Sequence, residues 1–103
     1  MDDQPTISTH VLDTQLGRPA EGVTVRLYGA DGALLGEATT DADGRIRRLL
    51  SGPLESGEYR IEFDLAAAFF SRAALTFRVT DTTRSYHVPL LLAPYSIASY
   101  RGS

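Results

Sequence analysis

Two histidines, His10 and His87, are the only imidazoles in this 103-residue chain. His10 alternates with the apolar Ile7 and Val11, and His87 precedes the apolar Val88. Because successive side chains of a strand point to opposite faces, we expect both histidines to lie off the core face. A pair of imidazoles can move protons near neutral pH. The pattern equally fits two exposed or hydrogen-bonded strand histidines without a catalytic role, so both interpretations remain open.

An arginine follows directly after a turn signal. Arg45 comes after the turn at 41–44, Asp-Ala-Asp-Gly, which can hold its guanidinium at a fixed position. The planar fork of arginine suits an oxygen-rich planar ligand or a developing oxyanion. A solvated arginine is the alternative, and the neighbouring Arg47 and Arg48 show how common solvated arginines are in this chain.

The last four residues carry an unusual set of groups. Tyr100, Arg101 and Ser103 supply a phenol, a guanidinium and a hydroxyl within one short stretch. The last residues of a domain are usually poorly ordered. These three side chains therefore either belong to a functional segment or occur together by chance.

The elements that position these side chains are predicted to be β-strands, because short segments of alternating apolar and polar residues lie between turn signals. This pattern is typical of a single all-β domain over residues 1–103, folded as an antiparallel β-sandwich of about eight strands. Alanine is the best helix former, so one short helix is predicted after Asp64. The predicted strands lie at about 6–13, 23–28, 34–40, 45–50, 59–64, 75–79, 86–90 and 97–101, and the helix at 65–70.

Composition excludes several classes of function. The net charge of −3 gives no footprint for nucleic acid, and no apolar run approaches the roughly 20 residues that span a membrane. Cysteine is absent, so disulfides, thiolate chemistry and cysteine zinc sites are excluded, and two histidines make a metal site improbable. The acidic, polar start does not read as a secretory signal. We therefore expect a cytoplasmic protein without a metal.

One apolar run is longer than a single inward face requires. Leu90 to Pro94 reads Leu-Leu-Leu-Ala-Pro. A small sandwich also leaves edge strands exposed, and exposed edges invite pairing with a second subunit. These features predict self-association.

Four segments, in order along nearly the whole chain, resemble the signatures of the 5-hydroxyisourate hydrolases, the transthyretin-related enzymes of urate breakdown. The terminal Tyr-Arg-Gly-Ser is the most specific of them, and the Gly-x-Pro element is weaker because many sandwich modules share it. The segments are 8–14 with 17–19, 39–45, 86–92 with 94–95, and 99–103.

The resemblance implies a function and an assembly. The substrate would be 5-hydroxyisourate, hydrolysed to 2-oxo-4-hydroxy-4-carboxy-5-ureidoimidazoline without a cofactor. The fold would be transthyretin-like, and the chain would form a homotetramer, a dimer of dimers, with active sites in the channel between dimers. Catalytic positions are matched by His10, Arg45 and His87, and the tail that lines the same pocket by Tyr100, Arg101 and Ser103.

Under this interpretation the two histidines hold and deprotonate a water molecule, and Arg45 stabilises the oxyanion. Two alternatives of another class stay open. One is a small-molecule carrier like transthyretin, which lacks counterparts of the polar set. The other is a non-catalytic β-sandwich binding module of the carboxypeptidase-regulatory type, which fits residues 17–45 but not the C-terminal half.

Overall fold

Ten strands form two sheets in residues 4–102, the part of the chain that the computed structural model describes. The predicted β-sandwich is therefore confirmed. The strands are β1 (Ile7–Asp13), β2 (Arg18–Pro19), β3 (Thr24–Gly29), β4 (Leu34–Thr39), β5 (Arg45–Ile46), β6 (Gly57–Asp64), β7 (Arg72–Val79), β8 (Tyr86–His87), β9 (Leu90–Leu92) and β10 (Ile97–Ser99).

One sheet has four antiparallel strands in the order β4-β3-β6-β7. The other sheet is built around β1, which has β2 and β5 as antiparallel partners and β8 and β9 as parallel partners. Strand β10 adds to β9 at the edge. The predicted antiparallel arrangement thus holds for most pairs, and the two parallel pairs place the end of the chain beside its beginning.

The core lies between the sheets and follows the predicted alternation. In β1, Ile7, Thr9 and Val11 are at most 1% exposed. The residues between them, Ser8 and His10, are half-buried on the outer face. Strand β6 shows the same period on the other sheet. The inward faces fix the register, and they leave the outer face of β1 free for polar side chains.

The segment 65–70 forms no helix, and no helix occurs between residues 4 and 102, so the helix prediction was wrong. The amide of Leu65 donates to the carbonyl of Ser71, and the amide of Phe69 donates to the carbonyl of Pro94. Six residues are too few for a stable isolated helix, and these tertiary hydrogen bonds override the alanine propensity. No helix that could cross a membrane is therefore present in this part of the chain.

Two strand predictions also need correction. The strand predicted at 45–50 ends at Ile46, because Arg47 and Arg48 are both exposed and the next two residues are both buried, which breaks the alternation. The strand predicted at 86–90 is divided into β8 and β9. Pro89 lies in the gap and has no N–H to donate to a ladder.

Candidate active site

Strand β1 places the site residues on the outer face of its sheet. His10 and Arg45 are Cα partners in the antiparallel pair of β1 and β5. Ser8 and His87 are Cα partners in the parallel pair of β1 and β8. Side chains of paired residues lie on the same face, and positions 8 and 10 share a face of β1. The fold therefore brings His10, Arg45 and His87 to one surface.

His87 is held on two sides. Its Nδ1 lies 2.8 Å from the hydroxyl of Ser8. Its carbonyl accepts a hydrogen bond of 2.8 Å from the amide of Gly102, which forms an isolated antiparallel bridge. A Cβ at position 102 would lie 2.5 Å from Cδ2 of the imidazole, so only glycine lets the tail pack this closely on the ring.

The turn before β5 fixes the backbone of Arg45 by hydrogen bonds to the carboxylate of Asp41. One oxygen of Asp41 accepts hydrogen bonds of 2.9 Å from the amides of Asp43 and Arg45. Gly44 has a φ of +74°, and a Cβ there would collide with the carbonyl of Val11. The backbone of the turn is thus fixed, and with it the start of the arginine side chain.

The same turn orients His10. Its Nε2 lies 2.8 Å from the carbonyl oxygen of Asp43. A carbonyl can only accept, so Nε2 of His10 carries the hydrogen of this bond. In the neutral ring, Nδ1 is then the basic nitrogen.

The pKa values of His87 and Asp41 are both lowered, but by different causes. Burial, followed by the charges of Arg45 and His10, lowers the pKa of His87 below its ordinary 6.5. Both causes favour the neutral form of His87 in the folded protein. The amide of Arg45, ahead of that of Asp43, lowers the pKa of the Asp41 carboxyl, which keeps the turn's acceptor ionised.

A shallow cavity of about 150 Å³ opens beside these groups. Arg45 and His87 both line it, whereas His10, the Cα partner of Arg45, is not part of the lining. The complete lining consists of Ser8, Thr9, Arg45, Ile46, Arg47 and His87.

The two predicted tail residues that the structure describes, Tyr100 and Arg101, line one groove. The guanidinium carbon of Arg101 lies 4.3 Å from the ring centre of Tyr86, a cation–π contact. Tyr86 and His87 are adjacent in β8 and point to opposite faces, so within one chain Arg101 lies away from the histidine. Tyr100 is 59% exposed and lines the same groove as Arg101. Ser103 lies outside the described residues.

Sequence reasoning missed three residues of the site. Ser8 bonds His87, Gly102 packs on its ring, and Arg47, interpreted as solvated, lines the cavity beside Arg45. The alternation that places His10 on the outer face also places Ser8 there, so the sequence pattern could have predicted the position of Ser8. The contact of Gly102 depends on a bridge across the fold and had no local signal.

No group of three or more His, Asp or Glu side chains that could hold a metal ion occurs within residues 4–102. The arrangement offers two imidazoles, a guanidinium and a hydroxyl at one open surface. Such a set can bind a planar anion, orient a water molecule and transfer a proton.

Comparison with known proteins identifies the family of the chain. A model of the HIUase/Transthyretin family matches residues 7–102. The 5-hydroxyisourate hydrolase of Deinococcus radiodurans is 41% identical over 119 aligned positions, which cover 100% of both chains. Among solved structures, the Klebsiella pneumoniae 5-hydroxyisourate hydrolase has a TM-score of 0.88 and 36% identity, covering 96% of this chain and 99% of that one.

Sea bream transthyretin in complex with thyroxine is also similar, with a TM-score of 0.84 and 28% identity over 93% of both chains. The fold thus occurs in both an enzyme and a protein that binds thyroxine. Because the family model covers nearly the whole chain and the Deinococcus relative is similar over its full length, this chain belongs to the HIUase/Transthyretin family.

Proposed function

We propose that this protein is an enzyme of urate catabolism that hydrolyses 5-hydroxyisourate to 2-oxo-4-hydroxy-4-carboxy-5-ureidoimidazoline. The observation that carries the proposal is the convergence of His10, Arg45 and His87 on the outer face of one sheet around β1. The Deinococcus and Klebsiella relatives named as 5-hydroxyisourate hydrolases support the choice of substrate.

The reaction opens the six-membered ring of the substrate. In our proposal the two histidines hold a water molecule, and one of them takes its proton as the oxygen attacks a ring carbonyl carbon. The carbon–nitrogen bond of the ring then breaks, and the leaving nitrogen receives the proton. A carboxylic acid and a ureido group result, and the second hydrogen of the water is the proton that this acid releases when it ionises to the carboxylate.

Arg45 has the complementary role. Its guanidinium orients the anionic ring and stabilises the negative charge that develops on the carbonyl oxygen. The support is its fixed origin in the turn held by Asp41, together with its place in the cavity beside His87. Tyr100, Arg101 and Ser103 remain predicted contributors from the tail. In an assembly they would act on the substrate from a surface that one chain does not form.

We also propose that the active form is a homotetramer with sites shared between dimers. The cavity of about 150 Å³ is well below the roughly 300–1,000 Å³ of sites that enclose a ligand. A second subunit would supply the missing wall. Leu91 is half-buried and pairs with Leu12 on the outer face of β1 that carries the site, so it offers apolar surface for the contact. Family membership supports an oligomer. The cytoplasmic location stays a prediction.

The test of function is direct. Purified protein should accelerate the loss of absorbance of freshly generated 5-hydroxyisourate, and the double variant His10→Ala/His87→Ala should not exceed the spontaneous rate. Light scattering during size exclusion should give four times the mass of one chain. Wild-type protein without any acceleration would refute the enzyme, and an active monomer would refute the shared site.

A transthyretin-like carrier is the second candidate, and the similarity to a thyroxine complex favours it. A carrier needs an apolar channel, whereas this surface presents two imidazoles and a guanidinium around β1. Stoichiometric binding of a hydrophobic ligand, without turnover of 5-hydroxyisourate, would support the carrier instead.

A further inference from the structure

Ser8 makes the one direct side-chain hydrogen bond to the imidazole of His87 within residues 4–102. Its hydroxyl oxygen lies 2.8 Å from Nδ1. The two residues are 79 positions apart and face each other as Cα partners in the parallel pair of β1 and β8. Both are half-buried, so backbone pairing fixes the contact and water competes with it only partly.

Either group could donate in this hydrogen bond, so its direction depends on the tautomer of His87. A hydroxyl has one hydrogen to donate, and a neutral imidazole has one protonated nitrogen. Among the described residues, Nδ1 of His87 is the only protein atom that bonds the Ser8 hydroxyl. If the hydroxyl donates, its hydrogen is used within the protein, and the ring proton sits on Nε2.

His10 has a different nitrogen available. Its Nε2 already donates to the carbonyl of Asp43, at 2.8 Å. The lone pair of a neutral His10 is therefore on Nδ1. In this arrangement His10 retains a basic nitrogen, whereas His87 retains an N–H group at Nε2.

We propose that Ser8 is a positioning residue that holds His87 as the Nε2–H tautomer, so that His87 donates a hydrogen bond to the substrate's carbonyl oxygen while His10 acts as the base. This inference rests on the proposed hydrolase function. The proposed function does not say which histidine is the base, and this inference assigns that role to His10 and the role of hydrogen-bond donor to His87.

The proton then follows one route. Nδ1 of His10 accepts a proton from water as the new oxygen–carbon bond forms. His87 and Arg45 stabilise the oxyanion, and His87 keeps its own proton. The ring carbon–nitrogen bond breaks, and the protonated His10 returns its proton to the leaving nitrogen. His87 therefore acts as a neutral hydrogen-bond donor rather than as an acid.

The first test is independent of activity. Nitrogen-15 chemical shifts of the imidazoles, measured at neutral pH on wild-type protein, distinguish protonated from unprotonated ring nitrogens. We expect His87 to be protonated at Nε2 and unprotonated at Nδ1. Ser8→Ala should shift His87 toward a mixture of tautomers, and Ser8→Thr should restore the wild-type signal. A wild-type His87 protonated at Nδ1 would overturn the proposal, whether or not the protein hydrolyses 5-hydroxyisourate.

The second test is kinetic. We expect Ser8→Ala to lower kcat about tenfold to hundredfold, by analogy with metal-bound histidines that lose an outer hydrogen-bond partner, with KM little changed. Ser8→Thr retains a hydroxyl and should recover most of the rate. Thr14→Val is the matched control, because it removes a hydroxyl that bonds only the carbonyl of Leu92. Wild-type kcat in a folded Ser8→Ala protein would also refute the role.

Discussion

The amide of Gly102 donates a hydrogen bond of 2.8 Å to the carbonyl of His87, and its Cα packs against the imidazole ring. The tail of the chain is thereby attached to a candidate catalytic histidine. A segment that the sequence alone permits to fray is instead part of the support of the site. The contact leaves no room for a side chain at position 102, which is a glycine.

Replacing Gly102 with alanine should lower activity more than stability. The added Cβ would lie 2.5 Å from Cδ2 of His87, so the ring or the tail must shift. We expect kcat/KM to fall by at least about tenfold, because misplacement of a catalytic group by about 1 Å can cost a hundredfold. The measurement is steady-state kinetics with a thermal melt. Gly52→Ala is the control, because its Cβ meets no atom within 4 Å. Equal kinetics in both variants would contradict the contact.

Deleting Tyr100 to Ser103 should abolish most hydrolysis with only a modest fall in the melting temperature. The deletion removes the bridge to His87 and the contact of Arg101 with Tyr86. Tyr100 and Arg101 are exposed, so little buried apolar surface is lost. Circular dichroism and the absorbance assay measure the two effects. A truncated protein with wild-type turnover would show that the tail does not belong to the site.

His10→Ala and His87→Ala should each leave a folded protein that has lost most of its rate. Both side chains lie on the outer face of β1 and β8, away from the core. The double variant should be little slower than either single variant, because residues that act as a unit have non-additive effects. Single-variant and double-variant kinetics provide the measurement. Additive losses would indicate that the two histidines act independently.

Arg45→Lys should reduce the rate sharply, because lysine keeps the charge but loses the planar fork. Arg48→Lys is the matched control. Arg48 is exposed, its guanidinium donates to the carbonyl of Gln4, and it does not line the cavity. Arg47→Lys should have an intermediate effect, because Arg47 lines the cavity beside Arg45. Small and equal changes in kcat/KM at all three positions would contradict a specific role for Arg45.

His87 should make the stability of the protein depend on pH. Its pKa is lowered in the folded state, chiefly by burial, and is near 6.5 in the unfolded chain. Between these values the unfolded state binds more protons, so the contribution to stability is complete above pH 6.5 and decreases as the pH falls through this window. Denaturant unfolding from about pH 7 to pH 5 should show a smaller loss for His87→Gln than for the wild type. An identical loss would contradict the lowered pKa.

The sequence alone determined which face many site residues occupy. Alternation in β1 buries Ile7 and Val11, which sets His10 on the outer face, and the turn at 41–44 indicates a fixed start for Arg45. These features depend on local periodicity and turn chemistry, which neighbouring residues control. The same signals predicted the β-sandwich.

Only the tertiary structure decided which groups meet. Ser8 bonds His87 across 79 positions because β1 and β8 pair in parallel with one particular register, and no local pattern specifies that register. The expected helix at 65–70 failed because amides such as that of Phe69 bond distant carbonyls. Long-range pairing selects partners from residues that are already on the correct face, so the sequence predicted the faces whereas the fold determined the contacts.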